Sequence, residues 1–260
     1  MDRANILGVG VHAVNLNLAT DMLERAADTS EGGYVCVTGV HGVMEAQKNA
    51  RFKKILDDAF LVVPDGMPTV WMGRWQGFKG MGRVFGPELM WAVCKQSVAS
   101  GHTHFLYGGK SGIAEELKAS MEQSFPGIRV IGTYTPPFRP LSAEEKFQLQ
   151  NTLQRLSPDY VWVGLSTPKQ EDFMFSNLNS LQCKVMVGVG AAFDIHTGHV
   201  QDAPQWIKSA GLQWLHRLCQ EPSRLWKRYL VNNSAFMFRT ALQLTGLKRY
   251  ELTSQEISGD

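Results

Sequence analysis

The sequence predicts an α/β fold: a Rossmann-like, mostly parallel sheet with helices on both faces, plus a helical carboxy-terminal appendage. Three observations predict it. Short unbroken apolar runs, such as Leu61-Val62-Val63 and Tyr160-Val161-Trp162-Val163, alternate with longer amphipathic stretches, the pattern of strands buried on both faces and their crossover helices. Several runs end in turn residues, among them Pro64-Asp65-Gly66, Gly108-Gly109 and Gly188-Val189-Gly190. These are carboxyl strand ends, where open sheets bind ligands. After Pro204 no strand pattern remains and helical periodicity takes over.

In chain order, residues 5–9 read as a strand and 18–27 as an amphipathic helix. Residues 34–38 are a strand and 43–59 a helix. The strand at 61–64 follows, then helical pieces at 67–75 and 87–99. Further strands are expected at 104–107, 128–132, 160–165 and 184–189, with helices at 113–124, 143–156 and 169–181. Two helical stretches, 205–220 and 223–247, complete the pattern. They break at Glu221-Pro222, because proline disfavours helix in the residue before it and suits the first turn of the next. The expected division is a sheet domain at 1–204 and the appendage with its tail at 205–260.

At 260 residues the chain suits one large domain or two small ones. Net charge is +2, so nothing global points to nucleic acid. The four cysteines are far apart and form no CxxC pair, as expected of reduced, mostly buried thiols rather than a disulfide frame or zinc site. No apolar run approaches the roughly 18 residues of a spanning helix, and the amino terminus lacks the basic and apolar regions of a signal peptide. The expectation is a cytoplasmic protein. Residues 205–250 carry eight lysines and arginines against one acid, Glu221, interleaved with Trp206, Trp214, Trp226, Tyr229, Phe236 and Phe238. Such helices suit an anionic membrane surface. They equally suit a terminal helix packed on the core with solvated charges, and the two readings are compatible.

Candidate chemistry centres on Asp65, a carboxylate at a strand end, followed by Gly66, which permits a turn other residues resist. Asp65 reads either as a functional acid or as a turn or capping residue of the next helix. Gly108-Gly109-Lys110 precedes a helix and offers N–H groups to phosphate, but it is not a Walker A loop. Gly8 to Ala13 matches the dinucleotide pattern formally, with a helix that starts too late. Gly190 and Asp194 follow the last strand, where small residues let a ligand approach the backbone and Asp194 offers a second carboxylate. The alternative there is tight packing and a capping acid. No metal site is expected: there is no Asp-x-Asp or HExxH, and His196 and His199 have no obvious third ligand. Arg83 is the arginine best placed before a helix start to meet anionic charge.

The ordered segments resemble the WecG/TagA/CpsF glycosyltransferases, glycosyltransferase family 26, over most of the chain. They comprise Thr38, Pro64-Asp65-Gly66, Arg83 to Gly86, Phe105 to Gly109, Pro158-Asp159, Thr167-Pro168-Lys169-Gln170-Glu171, Gly188 to Asp194, Ala203-Pro204, and Gly211 to Leu218 with Glu221 to Arg224. The resemblance implies a metal-independent, inverting enzyme without a cofactor. It would move a sugar from a UDP-sugar to a polyprenyl-diphosphate-linked saccharide at the inner face of the cell membrane. Such a step serves exopolysaccharide, capsule, common antigen or teichoic acid synthesis. By position, Asp65 is the implied general base, Thr38 and Gln170 line the pocket, and Arg83, Arg217, Arg224 and Arg228 meet the diphosphate. Many family members have asparagine where this chain has His41, and arginine where it has Asp202. These departures bear on donor and acceptor identity and suggest an exopolysaccharide or capsule branch.

Two other classes compete. An NAD-dependent oxidoreductase would need an acid at the end of the second strand, which instead reads Val37-Thr38-Gly39. A non-catalytic nucleotide-sugar-binding module would not need Asp65. The exposed apolar surface expected near the appendage suits either lipid or a subunit contact in a homo-oligomer.

Overall fold

The computed structural model describes residues 1–253, and the side chains of Arg224 and Arg228 also fall outside the described residues. The chain forms two compact units. One comprises residues 1–15, 38–83 and 203–260, the other residues 16–37 and 84–202.

The first unit opens with strands β1 (Arg3–Ile6) and β2 (Val9–His12), which pair antiparallel through a Leu7-Gly8 turn. The single strand expected at 5–9 is therefore a hairpin. Both turn residues take positive φ, 53° at Leu7 and 80° at Gly8, as a two-residue hairpin requires. Leucine hides that signal. The Leu7 N–H donates to Gln243 Oε1 at 3.0 Å, and its carbonyl accepts from Gln47 Nε2 at 2.7 Å.

Helix α1 (Leu16–Thr29) leads to strand β3 (Gly33–Thr38). The helix expected at 43–59 is two, α2 (Val40–Ala46) and α3 (Ala50–Asp57). Asn49 interrupts them by accepting from the Phe52 N–H at 3.1 Å as the N-cap of α3. Strand β4 (Leu61–Pro64), buried throughout, runs into helix α4 (Met67–Trp75). A side chain at Gly73 would strike Met81 and approach Ala4, so glycine lets α4 lie close on β1.

In the second unit, helix α5 (Gly86–Ser100), strand β5 (Thr103–Gly108), helix α6 (Ile113–Ser124), strand β6 (Arg129–Tyr134), helix α7 (Ala143–Leu156), strand β7 (Tyr160–Gly164), helix α8 (Lys169–Asn177) and strand β8 (Val185–Gly188) follow in turn. Its strands run parallel in the order β3-β8-β7-β5-β6. Every residue of β5 and β8 is buried, which accounts for the unbroken apolar character of β8; β5 also buries the polar Thr103 and His104. Ser142 and Glu145 form a capping box at the start of α7. The α/β class with a parallel sheet flanked by helices is as the sequence predicts.

A short helix α9 (Ala192–His196) follows Gly190. Helices α10 (Gln205–Ser209) and α11 (Gln213–Gln220) replace the single stretch expected at 205–220, divided at Gly211, whose φ is 72°. Helix α12 (Pro222–Leu244) begins after Glu221 as predicted. Helices α10 to α12 belong to the same unit as the hairpin and β4.

Candidate active site

In the first unit the buried strand β4 delivers Pro64 and then Asp65. The Asp65 N–H donates to the Thr38 carbonyl at 2.9 Å. A Cβ on Gly39 would overlap the Asp65 carbonyl oxygen and lie 3.7 Å from Asp65 Oδ2. Glycine at 39 is thus what lets the two backbones meet. Gly66 has φ 97° and ψ 150°, a conformation that only glycine adopts readily, and it serves as the N-cap of α4. Asp65 stands one residue before that cap and is not the capping residue itself. Thr38 is buried, with its methyl close to Gly42 in the first turn of α2.

His41 lies on α2 and meets Asn232 of α12, with 3.1 Å between Nδ1 and the Asn232 amide nitrogen. Lys48 Nζ donates to the Asn232 oxygen at 3.2 Å, which fixes the amide orientation. Asn232 therefore donates to His41 Nδ1, and the neutral ring carries its proton on Nε2. Arg83 donates to Gln213 Oε1 at 2.7 Å. Arg217 lies one turn further along α11, on the same face as Gln213. Its Nη2 is 3.7 Å from Glu221 Oε2, and its buried Nε has no hydrogen-bond partner among the described residues. Arg83 thus contacts α11 one turn before Arg217, and each guanidinium group is of the kind suited to anionic oxygen. The expectations for Arg224 and Arg228 lie outside the described residues.

In the second unit Gln170 is buried at the start of α8. Its Oε1 accepts from the Gly190 N–H at 3.0 Å, and its Nε2 donates to Glu171 Oε1 at 3.1 Å. Gly108 and Gly109 have a structural requirement of their own. A Cβ on Gly108 would lie 2.6 Å from the Gly164 carbonyl oxygen, and the Gly109 N–H donates to that oxygen at 3.1 Å. Lys110 is exposed beside them. Asp194 sits in the first turn of α9, half-buried, and its carbonyl accepts from the Val200 N–H at 2.9 Å.

His196 stacks on Trp91 at 3.5 Å and donates from Nε2 to the Pro87 carbonyl at 3.0 Å, and burial lowers its pKa to about 4. His199 pairs with Glu116. Among the described residues no group of three or more His, Cys, Asp or Glu is placed to hold a metal ion. Gly8 and Gly10 lie in the antiparallel hairpin, not in a strand-to-helix turn, so they do not build a dinucleotide site. Gln213, Asn232 and Glu171 are positioned at candidate residues. Glu171 and Gln213 fall within segments that carry the family resemblance, which implies no role for either, and Asn232 lies outside those segments. Only their tertiary partners single them out.

A family model described as the glycosyl transferase WecG/TagA/CpsF family matches residues 4–250. An N-acetylglucosaminyldiphosphoundecaprenol N-acetyl-beta-D-mannosaminyltransferase of Bacillus spizizenii is 27% identical over 203 residues, covering 78% of this chain and 77% of the relative. A protein of the same description from Bacillus subtilis is 27% identical over 220 residues, covering 84% of each. With the parallel sheet, the strand-end carboxylate and a match that runs nearly from end to end, the chain belongs to the WecG/TagA/CpsF family of glycosyltransferases.

Proposed function

We propose that the chain transfers an N-acetylhexosaminyl group, of the N-acetylmannosamine class, from a UDP-sugar to a polyprenyl-diphosphate-linked saccharide. Both similar relatives are described as acting on N-acetylglucosaminyldiphosphoundecaprenol, which favours that acceptor class over the wider range of capsule and exopolysaccharide steps. The observation that carries the reading is the meeting of Thr38, Gly39 and Asp65 at the end of β4, in a chain matched to the family over residues 4–250.

Asp65 takes the proton of the attacking acceptor hydroxyl, a role worth about 10²–10⁴ in rate. One carboxylate suffices for a single displacement with inversion, whereas retention needs a second group as nucleophile. Arg83 and Arg217 neutralise the departing diphosphate in place of a metal ion, with Arg224 and Arg228 assigned to the same task. Thr38, His41 and Gly66 line the acceptor and sugar side. Gln170, Gly190, Asp194 and the Gly108-Gly109-Lys110 turn are read as donor contacts.

Residues 205–260 act as a membrane-facing appendage. On α12, Trp226, Leu230, Val231, Met237 and Phe238 are all more than half exposed, an apolar stripe suited to a lipid surface. Among the described residues no helix is long and apolar enough to cross a membrane, so the reading is peripheral association at the inner face.

The test is UDP release with EDTA present, using a panel of UDP-sugars and a short-chain polyprenyl-diphosphate GlcNAc acceptor. Acceptor-dependent release that Asp65→Asn lowers at least 100-fold, with UDP affinity kept, is expected. Full activity of Asp65→Asn would remove the assigned base, and EDTA-sensitive release would remove the metal-free reading.

A further inference from the structure

Glu171 is 1% exposed, yet among the described residues only one of its carboxyl oxygens has a hydrogen-bond partner. Oε1 accepts from the Thr167 hydroxyl at 2.8 Å and from Gln170 Nε2 at 3.1 Å. Oε2 is buried without a hydrogen-bond partner among the described residues. The two oxygens therefore differ, as the carbonyl and hydroxyl of an un-ionised acid do. A buried carboxylate with an unsolvated oxygen is far costlier than the acid. Its surroundings agree. Burial pushes the Glu171 carboxyl up and the nearby charge of Asp172 acts in the same direction, against the smaller opposite effect of the Thr167 and Gln170 hydrogen bonds.

The consequence reaches Gln170. Its amide is held at both ends, the oxygen by the Gly190 N–H at 3.0 Å and the nitrogen by Glu171 Oε1. The side chain also packs on Gly188, where a Cβ would lie 3.0 Å from Gln170 Nε2. Rotating the amide by half a turn would set its NH₂ against the Gly190 N–H and its oxygen against Glu171. The acceptor on Glu171 selects one of the two orientations.

We propose that Glu171 is a positioning residue, a buried carboxyl group whose Oε1 fixes the Gln170 amide and, through it, the Gly190 turn. Its relevance to catalysis rests on reading Gln170 as a donor contact. The geometry itself does not.

The experiment measures amide hydrogen exchange at Gly190 by NMR, relative to the core amide of Val187, in the full chain and in Glu171→Gln, Glu171→Met and Glu171→Asp. Glutamine keeps a neutral acceptor in place. Methionine keeps the volume and deletes the acceptor. Aspartate withdraws it by one methylene and serves if the methionine variant does not fold. Glu171→Gln is expected within about twofold of the parent, and the other two about tenfold faster at Gly190 with Val187 unchanged, the scale of one lost hydrogen bond. Unchanged Gly190 exchange in the methionine or aspartate variant, or equal loss in Glu171→Gln, would overturn the proposal. Turnover measured in parallel separates the two readings. If Gln170→Ala keeps full kcat and KM while the exchange results hold, Gln170 is not a donor contact and the positioning of the turn by Glu171 stands.

Discussion

The Asp65 N–H donates to the Thr38 carbonyl at 2.9 Å, and a Cβ at Gly39 would fall on the Asp65 carbonyl oxygen. The main chain at the candidate base thus packs directly on the Thr38-Gly39 backbone, with no room for a Cβ at residue 39. Gly39→Ala must push Asp65 aside, and a displacement of about 1 Å costs on the order of 100-fold in turnover. Steady-state kinetics with a folded Gly39→Ala protein check this. Parental kcat would show that Asp65 does not need its present place.

Arg83 hydrogen-bonds Gln213, one helical turn before Arg217, so on the proposed reading substitutions of the two arginines should act alike. Arg83→Ala and Arg217→Ala are each expected to lower kcat/KM by about 10- to 100-fold, the range for hydrogen bonds to charged groups. Arg217→Lys should recover little, because lysine lacks the planar fork that matches phosphate oxygens. Gln213→Glu should pair with Arg83 and weaken UDP binding. Calorimetric titration with UDP measures this, and tighter binding would argue against the assignment.

Acid should destabilise the fold. Burial lowers the pKa of His12 and His196 to about 4 and that of His104 to about 3, against 6.5 for the free side chain. Because the folded values are depressed, this contribution is complete above pH 6.5 and is lost as pH falls towards 4. Each group adds roughly 1.4 kcal/mol per pH unit within that window. Glu171 acts with the opposite sign. Its raised carboxyl favours folding at low pH and costs stability as pH rises above 4.5. Glu171→Gln should therefore be more stable than the parent at pH 8, with the difference shrinking towards pH 4.5. Urea unfolding across this range decides both points, and stability that rises from pH 6.5 to 4.5 would contradict the histidine assignment.

The apolar stripe on α12 predicts lipid binding. Replacing Trp226, Leu230 and Phe238 by serine should cut partitioning onto phosphatidylglycerol vesicles by at least about tenfold. These side chains are exposed, so Tm should change by no more than about 2 °C. Unchanged sedimentation with vesicles would assign the stripe to another partner.

Strand positions were legible because a parallel strand buried on both faces is largely apolar, as β8 (Val185–Gly188) is throughout; β5 keeps an apolar run at Phe105-Leu106-Tyr107 behind the buried polar Thr103 and His104. The place of Asp65 was legible because Pro64 and Gly66 bracket it with turn chemistry. The hairpin at Leu7-Gly8 was not, since its unusual turn residue is satisfied by Gln47 and Gln243, far away in sequence. The same holds for Asn232 beside His41 and Gln213 beside Arg83. A single polar residue on a helix shows no partner until the helix is packed. Asn49 was a readable cap that the apolar periodicity of 43–59 concealed.

The grip of Gln243 on the Leu7 turn has a temporal meaning. The unit that carries Asp65 is assembled from residues 1–15, 38–83 and 203–260, so its first hairpin waits during synthesis for a helix made more than two hundred residues later. The other unit draws only on residues 16–37 and 84–202 and can settle earlier. A nascent chain would then hold most of its parallel sheet before the unit with the candidate base is complete, and that unit would close only after α12 has left the ribosome.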